Sequence, residues 1–183
     1  MNQPRNRNRL AIVAYPRLEA VDEQWIESIR SAHDPQASRI GAHFTLVFPA
    51  EASAADVASE VSAIVRETSP IAFTIRRTLA VRGLEGTGGH LFLVPAEGHD
   101  RIAALHDRFH EGVLRSHLRA DVPFIPHVTI AADPDFSRCE WLARALDLGG
   151  RVVRGTLDAV ELVDVSGPQV SSLGTFVFGS SSR

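Results

Sequence analysis

Residues 39–49 (RIGAHFTLVFP) and 126–132 (PHVTIAA) contain the same four-residue pattern, His-x-Thr-apolar, once in each half of the chain. The two copies are residues 43–46 (HFTL) and 127–130 (HVTI). Composition alone gives about 0.15 expected copies of such a pattern, so two copies are more than chance supplies. Both segments alternate between polar and apolar residues, which predicts two β-strands.

In a strand, successive side chains point to opposite faces, so the His and the Thr of each copy share one face. The apolar residues face the other way, where they can pack beneath helices. The predicted polar faces hold His43 with Thr45 and His127 with Thr129, and the predicted apolar faces hold Phe44, Leu46, Phe48, Val128 and Ile130.

A pair of histidines on polar strand faces suits the cleavage of a phosphodiester. In-line attack needs a base to deprotonate the nucleophile and an acid to protonate the leaving oxygen, on opposite sides of phosphorus. Histidine serves in both roles because its ordinary pKa of about 6.5 makes both forms accessible. The Thr hydroxyls can donate to the non-bridging oxygens as negative charge develops there. The pattern lacks the further ligands of a metal site, so this chemistry predicts no metal or other cofactor.

The remaining pattern predicts the element order β-α-β-α-β-β-α-β-α-β-β, an α+β fold with antiparallel strand pairs. Each half contains a motif strand, then a helix, then a strand pair, which predicts a pseudo-symmetric, two-lobed domain. The predicted strands are residues 10–16, 39–49, 71–82, 90–95, 126–132, about 152–165 and 170–178. Four helices are predicted. The first has an apolar face of Val21, Trp25, Ile29 and Ala32 and ends at Asp34-Pro35, and the second follows a capping pattern at Ser53 and Asp56 and has an apolar face of Val57, Val61, Ile64 and Val65. The third follows Asp100 and has an apolar face of Ile102, Leu105, Phe109 and Val113, and the fourth covers residues 136–148.

The bulk composition indicates one ordinary globular domain, over residues 10–179, with short tails at 1–9 and 180–183. The net charge of −3 argues against a general nucleic-acid coat protein. All 19 basic residues are arginine, so a basic group that contacts phosphate must be Arg. The single cysteine, Cys139, is expected to be buried and inert. We find no signal peptide and no membrane-spanning run, and we therefore expect a cytoplasmic monomer.

The two motif strands resemble those of the 2H phosphoesterase superfamily, and in particular its 2′-5′ RNA ligases or RNA 2′,3′-cyclic phosphodiesterases. The resemblance extends from LAIVAYP at residue 10 to GTFVFG near residue 179. It implies a bilobal fold of two antiparallel sheets flanked by helices, in which one motif strand from each lobe faces a central groove. It also implies that His43 protonates a leaving 3′-oxygen, that His127 activates water, and that Thr45 and Thr129 bind phosphate oxygens.

The sequence departs from several members of that family beside the second motif. They carry a basic residue just before the second Pro-His or just after the motif, where this chain has Ile125 and Ala132. Arg77 is our candidate for the phosphate contact, because it interrupts an apolar strand face; a bulge that turns it to solvent is the alternative. Phe124 and Tyr15 are candidates to stack on a base, with ordinary packing as the alternative for each.

Among the other histidines, His106 and His110 lie four apart on a predicted helix, and we expect a solvated helix face rather than a metal site. Residues 83–89 (GLEGTGG) predict a flexible hairpin tip. Three functions remain open: a cyclic phosphodiesterase that acts on an RNA end, a 2′-5′ linkage or a small cyclic nucleotide; a binding module of the same fold without turnover; and a purely structural domain. Only the enzyme needs both histidines.

Overall fold

The computed structural model describes residues 8–83, 86–146, 148 and 150–179, and it confirms an α+β fold. The predicted order of elements is kept, with a short additional strand at Arg17–Leu18 and a division of 153–164 into two strands. The strands are Asn8–Ala14 (β1), Arg17–Leu18 (β2), Phe44–Ala52 (β3), Ile71–Arg82 (β4), Gly89–Glu97 (β5), Val128–Asp133 (β6), Val153–Leu157 (β7), Ala159–Asp164 (β8) and Ser171–Val177 (β9). The helices are Ala20–His33 (α1), Ala54–Arg66 (α2), His99–Phe109 (α3) and Phe136–Ala145 (α4), with one 3₁₀ turn at Arg115–His117.

All described strand pairs are antiparallel and form one curled sheet in the order β2-β7-β4-β5-β6-β3-β1-β8-β9. This differs from the expected pair of separate sheets. The two central strands, β3 and β6, pair through a single residue pair, Phe44 and Val128. Every other pair of neighbouring strands shares at least two residue pairs, so the sheet has its fewest paired residues between β3 and β6. We call this single pair, Phe44 and Val128, the joint.

The helices pack against the strands through the apolar side chains that their periodicity selects. In α2, Ser53 caps the helix by accepting a hydrogen bond from the Asp56 amide, and the apolar stripe of Val57, Val61 and Val65 is buried. The helix α1 contacts β6, and α4 contacts β4, β5 and β6. The helix α2 contacts β9, and α3 contacts β3, β4 and β5. Together they bury one large core that includes Phe44, Leu46, Leu91, Leu93, Val128 and Ile130 from the middle strands.

The predicted buried face of α1 is shifted by one position. Val21 is 64% exposed and Ala32 is also exposed, whereas Ile26 and Ile29 are buried together with the charged residues Asp22 and Arg30. The apolar pattern located the helix and its end at His33, but its buried face also contains charged groups that form ion pairs.

Four boundaries are corrected. The helix α3 ends at Phe109, so Val113, predicted on its apolar face, lies outside the helix and is exposed. The first motif strand begins at Phe44 rather than residue 39, and bulges in its pairing with β1 leave Phe48 half-exposed instead of on the apolar face. The helix α4 ends at Ala145, three residues early. The first strand begins at Asn8, inside the predicted tail, while residues 1–7 and 180–183 lie outside the described part of the chain.

The hairpin between β4 and β5 is present, since Arg82 pairs with Gly89. Residues 84 and 85 of its predicted flexible tip lie outside the described residues. Cys139 is buried in α4, as expected. No helix in the described ranges has both the length and the apolar character needed to cross a bilayer.

Candidate active site

The joint between β3 and β6 brings the two motifs together on one face of the sheet. Phe44 and Val128 are directly opposite each other, and both are buried in the helix-covered core. Their immediate neighbours therefore point to the other face. Because the strands are antiparallel, this register sets His43 across from Thr129 and Thr45 across from His127. The joint is a local pseudo-twofold centre with four polar motif residues around it: His43, Thr45, His127 and Thr129.

Each histidine immediately precedes its strand and is fixed by the same type of contact. The Nδ1 of His43 lies 2.8 Å from the carbonyl oxygen of Gly41, and the Nδ1 of His127 lies 2.6 Å from that of Ile125. A carbonyl oxygen only accepts hydrogen bonds, so each Nδ1 carries the hydrogen and donates it. In the neutral ring the lone pair is then on Nε2, which is left as the atom that exchanges protons with a substrate.

The ring of His127 rests on an aromatic side chain from β5. Phe92 stacks on it with centroids 3.6 Å apart and 19° between the planes. Phe92 also pairs with Thr129 across the β5–β6 ladder, so it belongs to the motif face. The exposed His90 ring lies 5.8 Å from Phe92 at a similar angle. Both residues were missed in the sequence, although they occupy the opposite parity to the buried Leu91 and Leu93 in HLFLVP.

The segment before His43 is held by charged residues near the end of α1: the buried Arg30 and Asp34 and the partly exposed Glu27. Arg30, 1% exposed, donates to the carboxylates of Glu27 and Asp34 and, through Nη2, to the carbonyl oxygen of Ile40 at 2.8 Å. Glu27 accepts the Ala42 amide at 2.6 Å. These contacts fix the backbone on both sides of Gly41, the residue that accepts the His43 hydrogen bond. The network therefore positions the His43 ring indirectly, by holding the backbone to which that ring is hydrogen-bonded.

Both imidazoles have lowered pKa values. Burial is the main cause for His127, whose pKa falls to about 4; the Ile125 carbonyl raises it, and the positive charges that His43 and His90 would carry lower it further. Burial also lowers the pKa of His43, where the Gly41 carbonyl, Asp34 and Glu27 act in the opposite direction and Arg30 adds to the lowering. The two rings thus differ in surroundings: carboxylates act on the pKa of His43, whereas other histidines act on that of His127.

Of the predicted substrate contacts, Tyr15 lies beside His43, and it also packs against the buried residues Ala11, Val13 and Val163, as the ordinary-packing alternative expects. Its ring meets that of His43 edge-on, with centroids 6.2 Å apart. Phe124 instead stacks on His106 of α3, with centroids 3.7 Å apart and planes 2° from parallel. Phe124 is therefore in ordinary packing contact with α3. The aromatic ring beside the second motif is that of Phe92.

Arg77 is exposed, and irregular pairing just before it bears out the bulge alternative. The bulge nevertheless leaves it on the motif face. Arg77 pairs with Val94 of β5. Because Leu93 pairs with Val128 in the antiparallel β5–β6 ladder, the next positions, Val94 and His127, are opposite each other. His127, Val94 and Arg77 therefore form one row across the sheet. Two strand spacings, roughly 10 Å, separate the ends of this row. Arg77 has no hydrogen bond or ion pair within the described ranges, unlike its neighbour Arg76, which lies 3.5 Å from Glu97.

The expectation of a solvated face for His106 and His110 is wrong. Both are 5% exposed, with ring centroids 4.4 Å apart. His106 contacts the carbonyl oxygen of Leu46 in β3 through Nδ1, and His110 contacts that of His106. Their hydrogen bonds are to backbone, and no group of three or more His, Cys, Asp or Glu suited to a metal occurs in the described part of the chain.

A cavity of about 680 Å³ lies elsewhere, between the end of α1, β6 and α4. Its lining includes His33, Asp133, Arg138 and Trp141, but none of the four motif residues.

Comparisons with known proteins identify the family of the chain and its fold. Residues 18–169 match the family described as the 2′-5′ RNA ligase superfamily. The chain is 24% identical over 175 residues to "Putative phosphoesterase OB1230" of Oceanobacillus iheyensis, covering 93% of this chain and 98% of that one. Among solved structures, it resembles E. coli LigT complexed with 3′-AMP (TM-score 0.59, 16% identity, 94% and 99% coverage) and TT0787 of Thermus thermophilus (TM-score 0.62, 16% identity, 94% and 99% coverage). At these identities the structures show a shared fold.

Proposed function

Because the chain belongs to the 2′-5′ RNA ligase superfamily, a family of 2H phosphoesterases, we propose that it is a metal-independent cyclic phosphodiesterase. Its substrates are RNA 2′,3′-cyclic phosphate ends, 2′-5′ linkages or small cyclic nucleotides. The observation that supports the proposal is the Phe44–Val128 pair, because its register sets His43 across from Thr129 and Thr45 across from His127. The 3′-AMP in the LigT structure supports a nucleotide as the ligand class.

We assign the base to His127 and the acid to His43. With its pKa lowered to about 4, His127 is neutral at pH 7 and can take a proton from water through Nε2. His43 has Glu27 and Asp34 nearby, which favour its charged form. A bound phosphate anion adds to that effect and raises the pKa of both rings. Burial lowers the pKa of His43 overall, so we assign it the acid role on the condition that the bound phosphate restores its proton.

In the proposed reaction, water attacks phosphorus as His127 removes its proton, and a new phosphorus–oxygen bond forms. The bond from phosphorus to the 3′-oxygen breaks, and His43 donates its proton to that oxygen. The product is a 2′-phosphate with a free 3′-hydroxyl. Thr45 and Thr129 donate hydrogen bonds to the non-bridging oxygens, where charge accumulates. When a ribose 5′-hydroxyl replaces water, the same attack forms a bond from phosphorus to the 5′-oxygen and breaks the bond to the 3′-oxygen. The product is a 2′-5′ linkage with a free 3′-hydroxyl.

The flanking residues suit the remainder of such a substrate. Tyr15, edge-on to His43, offers a ring face for a base. Arg77, in the same row as His127, can donate its planar fork to a phosphate oxygen, because it has no competing carboxylate within the described ranges.

The test is hydrolysis of 2′,3′-cyclic nucleotides and 2′-5′ dinucleotides in EDTA. We expect turnover that survives EDTA, and losses of at least about 100-fold in His43→Ala and His127→Ala. His117→Ala, at an exposed histidine of the 3₁₀ turn, is the matched control and should retain full activity. Loss of activity in EDTA, or normal activity in either motif variant, would contradict the proposal.

The second candidate is a non-catalytic binding module, because such a module would bind its ligand on the same motif face. It predicts tight binding of a nucleoside 2′- or 3′-phosphate in calorimetry and no turnover of any cyclic substrate. The enzyme also predicts a bell-shaped dependence of kcat/KM on pH, because one ring must be neutral and the other protonated. A rate that is flat from pH 5 to 9 would exclude paired acid–base roles.

A further inference from the structure

The motif face continues beyond His43 onto β1, β8 and β9. Val13 pairs with Thr45 on one side and with Glu161 on the other, and Glu161 pairs with Thr175. Directly paired residues share a face, so Thr45, Val13, Glu161 and Thr175 form one row across four strands. Glu161 is two strand spacings, roughly 10 Å, from Thr45. Tyr15 follows Val13 by two residues and lies diagonally from Glu161 on the same face.

The carboxylate of Glu161 is available to a ligand. Its side chain is partly buried, and in the described part of the chain it has no Arg or His within ion-pair distance. Among the described residues, its side chain accepts one hydrogen bond, a long one of 3.3 Å from the Thr175 hydroxyl. Its negative charge reaches Tyr15, whose pKa is raised chiefly by burial and further by Glu161. Tyr15 and Glu161 are thus neighbours on the motif face.

Glu161, two strand spacings from Thr45, is at a suitable distance from the motifs to contact a nucleobase. A phosphate held between the motifs would place its ribose near Tyr15, with the base extending along the row toward Glu161. An ionised carboxylate only accepts hydrogen bonds, so it recognises bases by the donors on their edges. In single-stranded RNA and nucleotides, the Watson–Crick edge is the edge that proteins read most often, together with stacking on an aromatic ring.

The four bases differ at that edge. Guanine presents two adjacent donors, N1–H and the N2 amino group, which match the two oxygens of a carboxylate. Adenine and cytosine present one amino group beside a ring nitrogen that accepts, and uracil presents one N–H between two carbonyl oxygens. A carboxylate set against those acceptors is repelled, so the same group that binds guanine disfavours the others.

We propose that Glu161, beside Tyr15, forms a nucleobase subsite that selects guanine at the scissile end. This inference rests on the proposed function, because it takes the phosphate to be bound at the motifs. It assigns a residue from β8 to substrate choice, separate from the groups that perform the chemistry.

The experiment compares kcat/KM for the 2′,3′-cyclic phosphates of guanosine, adenosine, cytidine and uridine. We expect the wild-type protein to prefer the guanosine substrate over the uridine substrate by about tenfold or more, the usual effect of a hydrogen bond to a charged group. Glu161→Gln should reduce that ratio to about threefold or less, mainly by raising KM for the guanosine substrate. Glu111→Gln makes the same charge change at an exposed residue after α3 and should keep the ratio.

The outcomes separate the inference from the proposed function. A wild-type ratio near one, an unchanged ratio in Glu161→Gln, or an equal loss for all four substrates would overturn the guanine subsite while leaving the phosphodiesterase intact. If no substrate is hydrolysed, the proposed function fails. Calorimetry with guanosine and uridine 2′-monophosphates then tests the guanine subsite by itself. A preference for the guanosine ligand that Glu161→Ala abolishes, with unchanged thermal unfolding, supports the subsite; equal affinities overturn it.

Discussion

Phe92 of β5 lies against the His127 imidazole, with the ring centroids 3.6 Å apart and the planes 19° from parallel. The same phenylalanine pairs with Thr129, so it touches the second motif through both its backbone and its ring. One face of His127 is thereby covered, which contributes to the burial that lowers its pKa. The ring is held by Phe92 and by its Nδ1 contact with the Ile125 carbonyl.

We expect Phe92→Ala to impair catalysis without removing any reacting group. The freed His127 ring should sample further rotamers and gain water, so kcat should fall about tenfold while KM changes little. Its pKa should also rise toward the ordinary value, which shifts the low-pH limb of the rate profile to higher pH. Steady-state kinetics across pH measure both effects. Phe48→Ala, at a half-exposed ring on β3, is the control; a Phe92 variant with unchanged kcat and unchanged limb would refute the role.

Adjacent arginines on β4 provide a test of phosphate binding. Arg77 is on the motif face without a carboxylate partner among the described residues, whereas Arg76 is paired with Glu97. Arg77→Ala should raise KM about three- to tenfold, with little change in kcat, and reduce the dependence of KM on salt, because a charge-assisted contact is lost. Arg76→Ala should leave both unchanged. Equal effects of the two substitutions would show that Arg77 acts only through overall charge.

The sequence identified the motif strands because their signal is local. A period of two fixes which face His43 and Thr45 share, and the duplication of the pattern in 127–130 indicates a pair of related strands. The joint itself could not be read in this way. Phe44 and Val128 are far apart in the chain, and their pairing depends on how the complete sheet closes.

The supporting residues were missed for a related reason. In Glu27, Arg30 and Asp34, the spacings of three and four residues look like an ordinary solvated helix face. Arg30 and Asp34 are nevertheless buried, and Arg30 and Glu27 contact the backbone of the segment 40–42. His106 and His110 have the same helical spacing, and they are buried because Phe124 and the Leu46 carbonyl meet them from other elements. Such tertiary partners leave no periodic signal.

The lowered pKa of His127 predicts a specific dependence of stability on pH. Its folded-state pKa is about 4, below the ordinary value of about 6.5 in an unfolded chain. Between these values the unfolded state binds a proton that the folded state does not, so stability decreases as pH falls from 6.5 toward 4. The total is at most about 3 kcal/mol, and above pH 6.5 the contribution is constant.

Urea unfolding of wild type and His127→Gln from pH 7 to 4.5 measures that contribution. The stability of the wild type relative to the variant should fall with pH through this window, because the variant lacks the titrating ring. His43 and His106 remain in both proteins, so their effects largely cancel. His117→Gln, at an exposed position, should give a difference that does not vary with pH. Parallel stability curves for wild type and His127→Gln would contradict the lowered pKa.

The buried charges behind His43 are best tested at Glu27. Removal of Arg30 would leave Glu27 and Asp34 without their partner, at a cost of about 3–5 kcal/mol that risks unfolding the protein. Glu27→Gln keeps an oxygen that can accept the Ala42 amide but loses the negative charge, whereas Glu27→Ala loses both. The two variants therefore separate the charge of Glu27 from its hold on the backbone.

The negative charge of Glu27 raises the pKa of His43, so Glu27→Gln should lower that pKa and move the high-pH limb of kcat/KM to lower pH. The sign follows from the acid role: the rate falls once His43 loses its proton. Glu27→Ala should show the same shift and, in addition, about a tenfold loss of kcat, because the segment before His43 is no longer anchored. Glu23→Gln, at an exposed residue in the first turn of the same helix, should leave the profile unchanged. If the high-pH limb stays in place in both Glu27 variants, Glu27 does not act on His43, and the group that sets that limb is another one.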